Sequence, residues 1–170
     1  MCIVNLLYFG KALAQQISIT SISVRAGLPV NDNDEGFRQY DIFADVGLPV
    51  CVQSSSGWTF NMRLDAVASV LNQQNESAFL FSLGPGFLLT KKHSRLALKF
   101  GSSPTFLSDA RFPNKNLGGH FHFISHIGVT LRIGRNWHLI YRIQHLSNAS
   151  TVQPNPGLNL HVLGLGVGIY

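Results

Sequence analysis

The sequence has little charge, little cysteine and no long apolar run. Only 12% of its 170 residues are Asp, Glu, Lys or Arg, about half the share that is usual in a soluble globular domain. With two cysteines far apart in the chain, it lacks the Cys/His spacing of a zinc site. No apolar segment reaches the roughly 20 residues that a membrane-spanning helix requires, which excludes a helical span. The low charge nevertheless indicates a chain with little surface facing water.

The charged residues that are present are scattered along the chain. Lys and Arg number 13 and Asp and Glu number 8, which gives a formal net charge of +5. Because the basic residues do not cluster, they argue against a nucleic-acid partner and fit anionic lipid headgroups better. No Asp or Glu follows Asp109. The C-terminal part of the sequence therefore offers no carboxylate for catalysis.

The first residues have the features of a signal peptide. An apolar run at residues 2–10 precedes Ala12-Leu13-Ala14, which has the A-x-A form of a signal-peptidase site. We interpret residues 1–14 as a signal peptide whose basic start is missing, and residues 15–170 as one domain. An ordinary first strand is the alternative. Removal of residues 1–14 would leave only Cys51, which excludes an intramolecular disulfide.

Apolar and polar residues alternate with a period of two over most of the chain. Between Trp58 and Leu71 the even positions are apolar, while Arg63 and Asp65 lie on the other face. Runs of this kind, bounded by turn residues, predict eight strands. They cover residues 17–27, 37–48, 58–71, 76–89, 94–104, 118–132, 136–147 and 158–170. Because each run can cross a bilayer when tilted, the sequence predicts an all-β fold, an eight-stranded antiparallel transmembrane β-barrel.

The alternation alone does not decide whether the apolar face points into a core or out to lipid. A soluble lipocalin-like barrel would place Trp58, Phe60 and Leu64 inside. The secretion signal and the low charge favour the outward orientation. So does the opposite face, which carries Arg132, Arg142 and several histidines and suits a hydrogen-bonded polar lumen.

A histidine and a serine interrupt the apolar stripe of the seventh predicted strand. The stripe that begins at Trp137 leads by steps of two to His145 and Ser147, so both side chains project from the predicted lipid face. An imidazole beside a hydroxyl is the pair that activates a serine, because the histidine takes the Oγ proton as the serine attacks an acyl carbonyl. Positions i and i+2 are about 6–7 Å apart along a strand, a gap that two side chains can bridge. The alternative is a pair of interfacial polar residues that reach toward the headgroups.

Two residues at the start of the eighth predicted strand share the face of this pair. Asn159 and His161 would lie beside it across a hairpin. An Asn can orient a catalytic His through its side-chain oxygen, although it lacks the charge of a carboxylate. Asn148, Asn155 or loop N–H groups are candidate oxyanion donors. For Asn155, which stands between two prolines, turn chemistry is the alternative.

The segment HLSNASTVQPNPG, residues 145–157, resembles the PagL-type lipid A 3-O-deacylase family of Gram-negative outer membranes. H-x-S-N followed by Q-P-N-x-G is fairly specific in combination, and the eight-strand organisation extends a weaker similarity over the mature chain. The resemblance implies a barrel whose Ser147 nucleophile and His145 base hydrolyse the 3-position ester of lipid A. It implies that Asn148 and Asn155 lie near the oxyanion or support the residues that bind it. The sequence departs from the family at Asn159, where characterised members carry a Glu.

The stretch HFHFISH is a candidate metal site. His120 and His122 share a face, but His126 lies four residues further on, about 13 Å along the strand, so one ion cannot bind all three. With no Cys or carboxylate near, we expect these histidines to form hydrogen bonds in the lumen, and we predict neither a metal nor a cofactor.

Two functional hypotheses follow. The first is a carboxylic ester hydrolase of the outer membrane, with a Ser147–His145–Asn159 site that acts on the lipid A of lipopolysaccharide. The second is a non-catalytic structural barrel whose site has decayed through loss of the acid. On the long loop before the sixth strand, Arg111 and Lys115 could contact lipid A phosphates, and ordinary solvation is the alternative. The oligomeric state is left open.

Overall fold

The computed structural model describes residues 17–169, and in these residues the chain is almost entirely β-strand. A single 3-10 turn, Asp32–Asp34, is the helical element of this part of the chain. The strands are β1 (Ser18–Pro29), β2 (Phe37–Gln53), β3 (Trp58–Gln73), β4 (Glu76–Lys91), β5 (Leu96–Leu107), β6 (Arg111–Phe112), β7 (Lys115–Asn116), β8 (Phe121–Arg132), β9 (Trp137–Ser147) and β10 (Leu158–Gly168). Between residues 17 and 169 no helix is long and apolar enough to cross a membrane. The signal peptide predicted at residues 1–14 lies outside the described residues.

Eight of these strands close a barrel in the order β1-β10-β9-β8-β5-β4-β3-β2, and every neighbouring pair is antiparallel. The predicted eight-stranded antiparallel barrel is therefore confirmed. The strand ends differ by a few residues. The fifth strand was predicted to stop at Pro104, whereas β5 continues to Leu107. Proline has no N–H to donate to a neighbouring strand. Pro104 is tolerated because the β4 residues that face it, between Ser82 and Gly86, are not paired with β5.

The apolar stripes face outward, as predicted. Along β9, Leu139, Tyr141 and Ile143 are exposed, while the alternating Arg142 and Gln144 are buried. On the other barrel strands the same alternation is clear in the half nearest the β1–β2, β3–β4, β5–β8 and β9–β10 connections, and on most of them it fades toward the opposite end. This arrangement excludes the lipocalin-like alternative, in which the apolar residues would fill the interior. The outer wall therefore offers an apolar surface of the kind that lipid covers.

The middle of the lumen is held by a buried ionic and amide network around Asp41. Arg25 donates to the Asp41 carboxylate from Nε at 3.0 Å and approaches it with its terminal nitrogen at 2.8 Å. Gln39 Nε2 donates to the same carboxylate at 2.6 Å, and the Gln39 side-chain oxygen accepts from Gln144 at 2.8 Å. Ser69 Oγ also donates to the Asp41 carboxylate, at 2.5 Å. These contacts join four strands, because Arg25 lies on β1, Gln39 and Asp41 on β2, Ser69 on β3 and Gln144 on β9.

One end of the lumen is apolar, which the predicted polar lumen did not anticipate. We call this the loop end, because it carries the β1–β2, β3–β4, β5–β8 and β9–β10 connections. Its cluster of buried residues comprises Phe37, Leu71, Ala78, Leu80, Leu107, Ala110, Phe112, Leu117, Ile124, Leu146, Leu158, Leu160 and Val162. The small β6–β7 hairpin, also absent from the sequence prediction, contributes Phe112, whose ring packs edge-on against Phe37 with centroids 5.0 Å apart. The hairpin thereby caps the barrel.

The opposite half of the lumen, where β1 begins and β10 ends, is open. It holds a cavity of about 630 Å³ lined by Arg25, Arg63, Lys99 and His126 among others. Lys99 forms ion pairs there with Asp45 and with Asp65, the second at 3.0 Å. The polar lumen predicted from the alternation is thus present in the middle and in this half of the barrel.

We expect Asp41→Ala to lower the free energy of unfolding by about 3–5 kcal/mol, because it leaves the Arg25 guanidinium buried without its partner. Denaturant unfolding of the barrel in phospholipid vesicles measures this loss. Asp32→Ala is the matched control, since Asp32 is exposed and carries the same charge. That control should change stability by less than about 0.5 kcal/mol. Equal losses in the two variants would contradict a structural role for the Asp41 network.

Candidate active site

His145 and Asn159 lie side by side on the outer wall near the loop end. They are cross-strand register partners on β9 and β10. The His145 ring is exposed, and its Nδ1 is 2.8 Å from Asn159 Oδ1. Since an amide oxygen can only accept, this bond places the hydrogen on Nδ1 and leaves the lone pair of Nε2 free. The free nitrogen can accept a proton from a neighbouring hydroxyl.

The backbone of Asn159 explains why the two side chains meet. Its carbonyl accepts from Val30 N–H at 3.0 Å, and its N–H donates to Asp34 Oδ2 at 3.0 Å. Both backbone groups therefore point toward the β1–β2 connection and away from β9. In an antiparallel ladder this makes Asn159 and His145 a non-hydrogen-bonded pair, the type in which facing side chains are closest.

Ser147 is the last residue of β9 and lies two residues beyond His145 on the same face. Its side chain is half-buried. In the described part of the chain its hydroxyl makes no hydrogen bond to His145, although the spacing along the strand keeps the two within reach. Catalytic hydrogen bonds are often open in a free enzyme and close when substrate binds. The structure thus brings His145 and Asn159 into contact and leaves Ser147 adjacent to them.

Gly157 supports the histidine ring from the loop side. Its φ of +65° lies in the region that favours glycine. A Cβ at this position would lie 2.7 Å from His145 Cε1, closer than van der Waals contact allows. The absence of a side chain at 157 therefore leaves room for the ring in the orientation that reaches Asn159.

Asn148 anchors the β9–β10 connection and is fully buried. Its Nδ2 lies 2.8 Å from the carbonyl oxygens of Gly118 and Val152, and its Oδ1 accepts from Ser150 N–H at 2.9 Å. All of these bonds go to the loops. Of the two roles predicted for Asn148, oxyanion donor and supporting residue, the bonds therefore fit the supporting one. Asn155 Oδ1 accepts from Asn148 N–H at 3.1 Å, while its Nδ2 donates to Ser150 Oγ at 3.2 Å.

His161, the other residue considered as a partner of His145, lies elsewhere on the wall. It is in register with Ile143, and its Nδ1 bonds to the Tyr141 hydroxyl at 2.9 Å. Its ring stacks on that of Tyr141 with centroids 6.0 Å apart. His161 therefore belongs to a separate exposed pair.

The wall carries a further serine beside His145 that the sequence analysis missed. Ser125 on β8 is the register partner of His145 on the side opposite Asn159. It is exposed, and its hydroxyl bonds to that of Ser102 at 2.9 Å. The available signal was the one that identified His145, namely a polar residue within an outward apolar stripe.

The histidine-rich stretch divides between the two sides of the wall. His122 and His126 are buried, and His122 Nε2 bonds to the Gly119 carbonyl at 3.0 Å. His120 was predicted to share their face, but it is exposed and stacks on Phe106, because it precedes the start of β8 and its alternation. Within residues 17–169 no group of three or more His, Cys, Asp or Glu side chains could hold a metal ion.

Comparison with known proteins identifies the family. A sequence model of the lipid A 3-O-deacylase (PagL) family matches residues 38–168, most of the chain, including His145, Ser147 and Asn159. The chain belongs to the lipid A 3-O-deacylase (PagL) family. The lipid A deacylase PagL of Bordetella bronchiseptica is 33% identical over 66 residues, which are 39% of this chain and 37% of that protein. The chain thus aligns with little more than a third of this PagL relative.

Solved structures share the fold. The crystal structure of the outer membrane enzyme PagL superimposes with a TM-score of 0.76 at 20% identity, covering 88% of this chain and 99% of that chain. A de novo designed transmembrane β-barrel gives a TM-score of 0.54 at 13% identity, covering 92% of this chain and 100% of the design. At these identities the two comparisons show the barrel fold alone.

Gly157→Ala is expected to displace the His145 ring and weaken its bond to Asn159, because the new Cβ would overlap Cε1. The NMR signals of the His145 ring should shift, and labelling of Ser147 by a fluorophosphonate should slow by about tenfold or more. Gly119→Ala is the matched control, since Gly119 also has a positive φ, of +72°, but a Cβ there would only touch Val152 at 3.4 Å. If both variants behave alike, backbone strain and not contact with His145 is responsible.

Proposed function

We propose that this protein is a lipid A 3-O-deacylase of the outer membrane that works as a serine esterase. The observation that carries the proposal is the 2.8 Å bond between His145 Nδ1 and Asn159 Oδ1 on the outer wall, one strand pleat from Ser147. Polar side chains on a lipid-facing surface are energetically costly, because lipid offers no hydrogen-bond partners. Their presence among apolar residues therefore indicates a functional role more than a structural one. Membership of the PagL family supports the same substrate.

The proposed reaction begins with attack of Ser147 Oγ on the carbonyl carbon of the 3-position ester. His145 Nε2 takes the hydroxyl proton as the bond forms, and Asn159 Oδ1 keeps the imidazole in the tautomer that allows this. The tetrahedral intermediate collapses when the imidazolium gives the proton to the departing sugar oxygen. Water, deprotonated by His145, then hydrolyses the acyl-serine. The products are the 3-deacylated lipid and a free fatty acid.

The negative charge of the intermediate requires donors near Ser147. Asn155 Nδ2 carries a second hydrogen that its 3.2 Å bond to Ser150 Oγ does not use, and the β9–β10 connection adds backbone N–H groups. In the proposal Asn155 supplies an oxyanion donor, while Asn148 holds the loop that carries it. Turn chemistry alone is the competing explanation for Asn155.

The position of these residues on the barrel suits a lipid substrate. Barrels of this kind have both chain ends in the periplasm and their longer loops outside the cell. The loop end would then lie in the outer leaflet, and His145 and Ser147 would stand near headgroup depth on the wall. Lys115, considered as a phosphate ligand from the sequence, is instead largely buried in an ion pair with Asp34, while Arg111 is exposed.

Ser147→Ala should abolish release of the acyl chain, by a factor of at least about 10⁴, because no other group would attack the ester. Mass spectrometry of lipid A after incubation with the refolded barrel measures the loss of one acyl chain from the 3-position. Ser125→Ala is the matched control, since Ser125 is the other serine beside His145. Activity that survives Ser147→Ala but not Ser125→Ala would overturn the choice of nucleophile. Unchanged lipid A with the folded native protein would favour the structural-barrel alternative.

Asn159→Asp should raise kcat, because it places a carboxylate oxygen where an amide oxygen already accepts from the imidazole and so stabilises the imidazolium. The reverse change in a serine protease costs about 10⁴ in kcat, which sets the upper limit of the gain. Asn159→Glu tests the longer side chain of the family at the same position. Asn159→Leu should lower kcat, since it removes the bond. If neither Asp nor Leu changes the rate, Asn159 does not orient His145.

A further inference from the structure

The carboxylate of Asp34 lies directly behind the candidate site. Asp34 is in the 3-10 turn of the β1–β2 connection and is 1% exposed. One carboxylate oxygen accepts the Asn159 N–H at 3.0 Å, and the other pairs with Lys115 Nζ. A carboxylate from the first part of the chain thus holds the backbone of the residue that bonds to His145.

Asp34 takes the place of a main-chain acceptor at the end of the sheet. The β1–β10 ladder ends at Pro29 and Leu160, and Val30 N–H makes the last backbone bond, to the Asn159 carbonyl. β1 then turns away, so the Asn159 N–H has no strand to pair with. The Asp34 carboxylate satisfies it, and a bond to a charged acceptor is stronger than the neutral bond that it replaces.

Asp34 is itself fixed by the neighbouring loops. Lys115 belongs to the β6–β7 hairpin, and its side chain is 12% exposed. Gln73 links the same two loops, because its Nε2 donates to the Glu35 carbonyl at 3.1 Å and its Oε1 accepts from Asn114 N–H at 3.2 Å. The acceptor that holds Asn159 is therefore part of a rigid loop cluster.

We propose that Asp34 is a positioning residue of the esterase, which fixes Asn159 and through it the orientation of His145. The inference rests on the function proposed above. It follows that the β1–β2 connection, which carries Asp34, and the β6–β7 hairpin, which carries Lys115, influence the turnover of the site. Neither residue contributes a reacting atom to it. The acceptor atom, more than the charge, is the essential feature, because Lys115 neutralises the carboxylate.

Asp34→Ala and Asp34→Asn separate these contributions. Ala removes the acceptor, and we expect kcat for lipid A deacylation to fall about 10- to 100-fold, with KM little changed, because a small misplacement of a catalytic group is costly. Asn keeps an oxygen that can accept the Asn159 N–H but removes the charge that pairs with Lys115, so part of the rate should return. Asp32→Ala is the matched control from the same turn, and it should behave as the native protein does. Folding of each barrel is checked by its resistance to unfolding in detergent.

Two further measurements keep the test independent of the lipid substrate. Hydrogen exchange at the Asn159 amide should accelerate in Asp34→Ala and remain slow in Asp32→Ala. Labelling of Ser147 by a fluorophosphonate should slow in Asp34→Ala and recover in Asp34→Asn. If the native protein leaves lipid A intact, the proposed function fails, and these two measurements still decide the role of Asp34. Native kcat in Asp34→Ala, equal losses in Ala and Asn, or unchanged exchange at Asn159 would each overturn it.

Discussion

The pleat of the barrel wall turns successive side chains to opposite sides of the sheet. Because the sheet is closed, these two sides are the lumen and the outer surface. Each strand residue faces either an apolar exterior or a lumen that a buried network fills. Arg25 and Asp41 can pair in the lumen because their strands adjoin and both side chains point inward. A polar side chain on the outer wall finds partners only along the wall itself or in the loops. Asn159 and His145 meet this constraint by bonding to each other across two strands.

The same constraint makes the β9–β10 register decisive for the proposed chemistry. A shift of one residue would turn either His145 or Asn159 into the lumen. The register is held at the loop end by Leu146, Leu158 and Leu160, which are buried in the apolar cluster between the outward polar residues. The apolar cap and the polar site are thus two faces of the same strand ends. Packing of the leucines on the inner face fixes the strand register, and the register fixes the relative positions of His145 and Asn159 on the outer face.

Alternation and turn residues predicted the eight-stranded antiparallel barrel and put His145, Ser147 and Asn159 on its apolar face. The secretion signal, the low charge and the polar opposite face then predicted that this face points outward. These features depend on local sequence, since a period of two assigns each residue to a face. The apolar cap, the β6–β7 hairpin and the contact of Asp34 with Asn159 were not predictable in this way. Asp34 and Asn159 are 125 residues apart, and only closure of β1 onto β10 brings them together. His120 was misassigned because the sixth strand was predicted to begin at residue 118, whereas β8 begins at Phe121 and His120 lies before its alternation.

The absence of carboxylates after Asp109 has a specific consequence once the fold is known. In the proposed mechanism Asn159 orients the imidazole but supplies no charge to stabilise its protonated form. Asp34 bonds to Asn159 through a carboxylate, but this carboxylate contacts the backbone N–H of Asn159 and is already paired with Lys115. The negative charge of Asp34 is therefore largely neutralised by Lys115, in an ion pair that joins the two loops. A Glu side chain at position 159 could both orient the imidazole and supply the charge. Under the proposed mechanism these two contributions come from different residues here, and the orientation of His145 depends on the loops that carry Asp34 and Lys115.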